Sequence, residues 1–467
     1  MQRVVASSTE EIQNLISQLQ NGNESLTRAQ IDNKLSNNED LFVSLVEANR
    51  KQVMESLTQE QRDSIANDDE ELEFCPSDSV IADIYFAQLL NAEREIQVGS
   101  VVYKYMENGV AYTDVEHASD LKSVEDITNT IDVTEDNEGV AIPITKTVTF
   151  KPMEYEIKTY DGDDENNPGG SSGSGSTNSE STNSSTTPIT ILSSSENEIK
   201  LSNGVRIGAS DIRNVNYNGK GDGSFFHRMW NGIWGRNIVA KKKFSNRRQM
   251  VLNFYDQNYI IYANIGTKLK MQKKVCGIWW NIKCPEMIHG WETITMRYHL
   301  PQPISPSIFV YQGMNNPTIS TYDPFPFTNE KIILLHIPYI NYDFSTKDIN
   351  FAFKTAAKMA YSKASSWLKS KVNDPYKLGL FCYNENYAYI IHGPFARNSK
   401  NVKTMESKTY SKWFPGSCEF QFSFGSRVNF KNVKISANDG VDLYRGTVVG
   451  IINYNGKWLA ARIIKNE

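Results

Sequence analysis

The sequence predicts an α+β protein in two parts. A small helical N-terminal module carrying a β-hairpin is joined by a flexible linker to a larger β-rich C-terminal domain with one long amphipathic helix. Three observations predict this. Apolar residues recur at helical spacing early in the chain and alternate with polar ones in most later segments. Residues 161–188 are almost entirely Gly, Ser, Thr, Asn and acid, with Tyr160 the last aromatic before them. Charge divides the same way: residues 1–165 carry 35 acidic and 12 basic side chains, a net of −23. The remainder holds the other 19 acids and 37 bases, a net of +18, together with all eight tryptophans. The expected division is therefore 1–160, 161–188 and 189–467.

The elements follow in order. Ser8 and Thr9 before Glu10-Glu11 start a helix whose Ile12, Leu15, Ile16 and Leu19 share one face. Asn38 before Glu39-Asp40 is expected to open a second, with Phe42, Leu45, Val46 and Val53 inward. Thr58-x-x-Gln61 matches a capping box. Ser77 or Asp78 is expected to cap a fourth helix, burying Ile81, Ile84, Tyr85, Phe86 and Leu89. Val101–Met106 and Val110–Thr113 flank Asn108-Gly109, a two-residue hairpin signal. Residues 115–136 read as a polar, helical connection and 141–160 as one or two strands. The linker cannot bury enough apolar surface to order itself.

Beyond it the pattern is mostly of strands. Asn203-Gly204 marks a tight turn, and a polar turn is expected at Asp256-Gln257-Asn258 between two strands. Trp291–Leu300 alternates, Lys331–Tyr342 reads as a buried strand, and Asn455-Gly456 is the tip of a terminal hairpin. Asp348–Val372 has the apolar spacing of a long helix with a lysine-rich outer face.

Catalytic and metal motifs are scarce. The GxSxG match at Gly169–Gly173 lies in the linker, without the strand and helix that a nucleophile elbow needs. No HExxH or HxxEH occurs, and the six histidines are scattered. Asp161, Asp163 and Glu165 alternate like calcium ligands, but Asn166 and Ser172 stand where a calcium loop needs Gly and Glu. Gly219–Ser224 is glycine-rich but lacks phosphate-loop order. No cofactor is expected. Of the five cysteines, Cys276 and Cys284 bracket a short apolar segment and could pair across a hairpin; buried thiols are the plainer reading.

Residues 225–291 interleave cations with aromatics. From them Trp230, Trp234, Arg236, Lys241, Lys242, Trp279 and Trp280 form the candidate binding set. Such a set suits sugars by stacking and anionic surfaces by charge. Equally, the tryptophans could be β-core and the lysines an edge that blocks strand pairing. No helix-turn-helix or RNA-recognition motif favours nucleic acid. No apolar run is long enough for a membrane helix. Met1–Ser8 has no apolar leader core, so either the chain stays inside a cell or a particle, or a leader has been replaced.

The run Ala82-Asp83-Ile84 through Leu89-Leu90-Asn91, then Glu95-Ile96-Gln97-Val98 and Val102-Tyr103-Lys104-Tyr105, resembles uncharacterised surface lipoproteins of Gram-negative gut bacteria. The resemblance covers under a tenth of the chain, implies a secreted or surface location, and carries no catalytic motif; no lipidation cysteine stands near residue 1. The expected function is non-enzymatic binding or adhesion at a bacterial surface, recognising carbohydrate or an anionic surface through the C-terminal domain. Two alternatives stay open: a membrane-active toxin or effector whose acidic module shields the basic domain, and an enzyme of unrecognised type.

Overall fold

A computed structural model of the 467-residue chain describes residues 2–20, 30–36, 42–74, 81, 83–132, 140–153, 155–160, 189, 191–217, 235–261, 263–299, 333–334, 379–383, 387–392, 395–408, 417–424, 428–436 and 441–465. Two large sheets pack face to face. The first has seven strands, in the order β2 (Glu73–Phe74), β16 (Ile278–Asn281), β15 (Ala263–Val275), β14 (Arg248–Asn258), β13 (Gly235–Ser245) and β8 (Tyr155–Tyr160). The seventh, β22 (Thr404–Lys408), pairs with β15 where β16 has ended. The second has eight: β12 (Ile212–Tyr217), β26 (Lys457–Lys465), β25 (Val441–Tyr454), β17 (Cys284–His299), β20 (Tyr387–His392), β19 (Gly379–Tyr383) and β18 (Ile333–Leu334) in order, with β21 (Phe395–Val402) also on β17.

Alternation explains the packing. Ala240, Leu252 and Leu269 lie in one cross-strand row of the seven-stranded sheet and are fully buried. They face Gly450 on β25, where a Cβ would lie 2.7 Å from Leu269 Cδ1, so the sheets approach closely because this position has no side chain. The opposite face of these strands also carries buried polar residues that bond across strands: Gln249 to Gln272 (2.9 Å), Gln272 to Asn281 (3.3 Å) and Asn253 to Asn237 (3.1 Å). A three-stranded sheet of β9 (Ile191–Ser194), β10 (Glu198–Leu201) and β11 (Arg206–Gly208) packs its Ile191, Ile199, Leu201 and Ile207 on the eight-stranded sheet; β23 (Ser417–Phe424) and β24 (Val428–Ser436) form a separate pair.

The N-terminal residues form a six-stranded sheet: β1 (Val5–Ala6), β3 (Glu95–Val98), β4 (Val101–Met106), β5 (Gly109–Asp114), β7 (Thr149–Pro152) and β6 (Ile142–Pro143) in order. Its neighbours are antiparallel except β1 and β3. On one face lie α1 (Thr9–Gln20), which buries Ile12, Leu15, Ile16 and Leu19, and α2 (Leu45–Glu55), which packs on α4 (Ile84–Leu89). The other face of β4 and β5 buries Val102, Met106 and Ala111 against Leu121 and Val124, from the short α5 (Asp120–Ser123) and the turn into α6 (Glu125–Thr128). Between α2 and α4, α3 (Gln59–Ala66) carries the Thr58/Gln61 capping box; a second box, Ser44/Glu47, opens α2.

These observations correct the predicted fold class. The protein is β-dominated with several sheets. Its N-terminal 160 residues are not a helical module: they form a sheet carrying short helices and also supply the outermost strands, β2 and β8, of the seven-stranded sheet. The reason is strand length. A strand of two or four residues is too short to show alternation, so β1, β2 and β3 leave no periodic signal. The long helix predicted at 348–372 and the linker at 161–188 lie outside the described residues. The longest described helix is α1, at 12 residues.

Smaller corrections are local. The second helix begins after Ser44 rather than Asn38, leaving Phe42 ahead of it, and Asp83 rather than Ser77 or Asp78 caps α4. Asn108-Gly109 is offset by one: Met106 pairs with Gly109, so the two-residue tip is Glu107-Asn108. Gly109, at φ 155°, lies so close to β7 that a Cβ would sit 2.3 Å from the Lys151 carbonyl oxygen. Asn455-Gly456 does form a two-residue tip, with φ of 51° and 78°, and Cys276-Gly277 forms another, at 51° and 83°. Cys276 and Cys284 are both free thiols.

Candidate functional site

Besides the pairing of β8 with β13, two side-chain contacts among the described residues join the N-terminal part to the sandwich, and they differ in chemistry. The first is the loop between β14 and β15. The sequence placed its turn at Asp256–Asn258, but those residues continue β14, and the chain turns instead after Tyr259. Tyr259 and Ile261 are buried in the N-terminal core with Ile12, Phe86, Leu89 and Ile96. Phe86 stacks on Tyr259 at 4.6 Å, and Tyr105 Oη donates to the Tyr259 carbonyl (2.8 Å). Between the two buried side chains, Ile260 adopts φ 68°, a left-handed conformation that costs a β-branched residue about 1–3 kcal/mol. Asp83 completes this contact: one carboxylate oxygen accepts from the backbone amides of Tyr85 and Phe86, and the other accepts from Asn264 Nδ2 at 2.7 Å.

The second contact is ionic and lies where the hairpins β13–β14, β15–β16 and β25–β26 end. The segment leaving α3, Asp68-Asp69-Glu70-Glu71-Leu72-Glu73, crosses it and becomes the edge strand β2. Glu70 is the node. Arg248 Nη2 and Lys273 Nζ each lie 2.9 Å from one of its oxygens, and Tyr454 Oη donates to the other at 2.6 Å. Burial alone would raise the Glu70 pKa, but the hydrogen bonds from Tyr454, Lys273 and Arg248 outweigh it and hold the carboxyl below its usual range. Lys273 also reaches Asp68 (2.8 Å), Lys283 reaches Glu71 (2.7 Å), and Lys403 lies 3.6 Å from Glu73. The Arg248 guanidinium stacks over the Tyr454 ring at 5.4 Å. Phe74 meets Trp280 edge to face.

Beside this strap the surface remains cationic and open. Lys243, Arg247 and Lys274 are exposed, and Lys274 Nζ lies 5.7 Å from the ring centroid of half-buried Trp279. Of the candidate binding set, Trp279 is therefore placed at the surface and Trp280 is buried. Lys242 is half-buried, donates to the Ser210 carbonyl (2.7 Å), and has its pKa lowered, chiefly by burial. Lys241 lies on the same strand, in the row of Val251 and Lys270. Trp230, Trp234 and the Arg236 side chain lie outside the described residues. Lys283, Lys403 and Tyr454 were missed by the sequence reading. The only signal pointing that way was the opposite charge of the two parts of the chain, which names halves rather than residues.

Among the described residues no three His, Cys, Asp or Glu side chains gather so as to hold a metal ion, and no helix is long and apolar enough to cross a membrane. His289 is fully buried between the sheets, 3.3 Å from Thr267 Oγ1; burial first, then the Arg397 charge, holds its pKa down to about 3. Comparison with known proteins finds no matching family model, curated protein or solved structure.

Proposed function

We propose that this is a non-enzymatic binding protein that engages an anionic or carbohydrate surface at the cationic end of its seven-stranded sheet. The observation that carries the reading is the group Lys243, Arg247, Lys274 and Trp279, open to solvent where two hairpins end. Lysine and arginine supply charge for sulfate or carboxylate groups, and an indole face stacks on a sugar ring. The +18 net charge of residues 166–467 adds a long-range attraction to the same class of partner. A place at a bacterial surface rests on the resemblance of residues 82–105 alone.

The test is binding of the full chain to heparin, anionic liposomes and a panel of neutral glycans over a salt series. Lys274→Ala combined with Trp279→Ala should weaken binding about tenfold or more while lowering the unfolding temperature only slightly, since Lys274 is exposed and Trp279 is only half-buried. Absence of binding to every probe at low salt removes the reading.

A further inference from the structure

The ionic contact holds a peptide in the position of a ligand. Five of the six residues from Asp68 to Glu73 are acidic, and four cations from separate parts of the chain, Arg248, Lys273, Lys283 and Lys403, converge on them. The Glu70 carboxylate receives an arginine, a lysine and a tyrosine hydroxyl, a full donor set for one anionic group. The segment also pairs as a strand, Glu73 with Asn281 and Phe74 with Trp280. Beyond that two-residue ladder it is held by the Tyr454 hydrogen bond and by ion pairs that run from largely covered at Asp68 and Glu70 to open at Glu71. The Glu71 side chain is 68 % exposed and its partner Lys283 50 %. Such pairs are weak and salt-sensitive.

We propose that residues 68–74 are an internal placeholder and that the partner of this site is an acidic, extended peptide segment, with an aromatic residue following the acids, that displaces them and adds to the edge of β16. The proposal rests on the reading that the cationic end of the sheet binds an anionic partner. A peptide is favoured over a sulfated sugar chain because the present occupant uses backbone pairing with β16, which a glycan cannot reproduce. Because the placeholder is part of the same chain, it competes at high effective concentration. An external peptide therefore binds weakly until the placeholder is neutralised or outcompeted.

The experiment titrates a labelled peptide copying residues 68–74, and separately heparin, into the full-length wild type and into the full-length variant Asp68→Asn, Glu70→Gln, Glu71→Gln. The variant should bind the peptide about tenfold or more tightly than the wild type. Adding Arg248→Ala should abolish the gain. A folded variant with wild-type peptide affinity overturns the proposal. If heparin binds the variant and the peptide does not, the proposal falls while the anionic-surface reading stands; if neither ligand binds, the proposal falls, and the anionic-surface reading falls with it only when liposomes and glycans also fail to bind. Should the variant fail to fold, hydrogen exchange on the wild type decides. Excess peptide should speed exchange of the 73–74 amides without global unfolding, and unchanged exchange overturns the proposal.

Discussion

Apart from the β8–β13 strand pairing, the two side-chain contacts between the N-terminal part and the sandwich solve one problem in opposite ways. The Tyr259 loop is buried and largely neutral, and it is held by ring stacking and by Asp83, which both caps α4 and binds Asn264. The Asp68–Glu73 strap is charged, partly wet and held by ion pairs. Apolar burial changes little with salt, whereas exposed ion pairs weaken as the Debye length shrinks. The first contact is therefore a permanent joint, and the second responds to its solution. The left-handed Ile260 fits this division, because such a conformation persists only where its surroundings over-determine it.

The strongest way to break the comparison is to empty the permanent joint. Tyr259→Ala removes a fully buried ring stacked on Phe86 and should cost about 3–5 kcal/mol, the range for aromatic truncation in a core. The Tyr105 hydrogen bond would survive, because it goes to the backbone carbonyl of residue 259. Urea unfolding at low and at high salt should give the same loss. A loss below 1 kcal/mol, or one that vanishes in salt, would mean the loop is no joint at all.

Neither contact was legible as a contact in the sequence, and the reasons differ. Local signals read well. The Thr58/Gln61 box, the apolar face of α1 and the Asn455-Gly456 tip each depend on residues a few positions apart. Tyr259 and Ile261 were misread because an apolar residue in a loop that inserts into another core looks the same as one in a strand. Even the resemblance run 82–105 gave no hint of α4 meeting residue 259, some 170 positions away. The strap site draws Glu70, Arg248, Lys273 and Tyr454 from four distant places, so no spacing could disclose it. Only the charge imbalance pointed that way, and it named the halves rather than the residues.

Acid separates the interior from the strap. His289 is neutral when folded, with its pKa held down to about 3 against an ordinary 6.5. Between those values the unfolded chain binds a proton that the folded chain does not, so stability falls as pH drops through the window from 6.5 toward 3. Linkage gives a loss of about 2 kcal/mol between pH 7 and pH 5. His289→Gln should flatten that slope, and an unchanged slope would show that the imidazole stays reachable by protons in the folded state. Glu70 acts lower on the scale. Its folded pKa is depressed, so its contribution is present above the ordinary carboxylate pKa and fades only as pH falls through the lower folded value.

The smallest expected effect lies in the strap itself. Glu70→Gln keeps the shape of the side chain but removes the charge that Arg248 and Lys273 share. The three side chains are 18–30 % exposed, so solvent screens the pairs and the loss should be about 1 kcal/mol rather than the several expected of a buried pair. The glutamine oxygen can still accept from Tyr454, which also limits the cost. Salt is the sharper readout. The difference between wild type and variant in urea unfolding should shrink toward zero at ~1 M salt, where the Debye length is about 3 Å, while the Tyr259→Ala loss persists. If the Glu70→Gln loss were several kcal/mol and indifferent to salt, the strap would be a second permanent joint and the distinction between the two contacts would not hold.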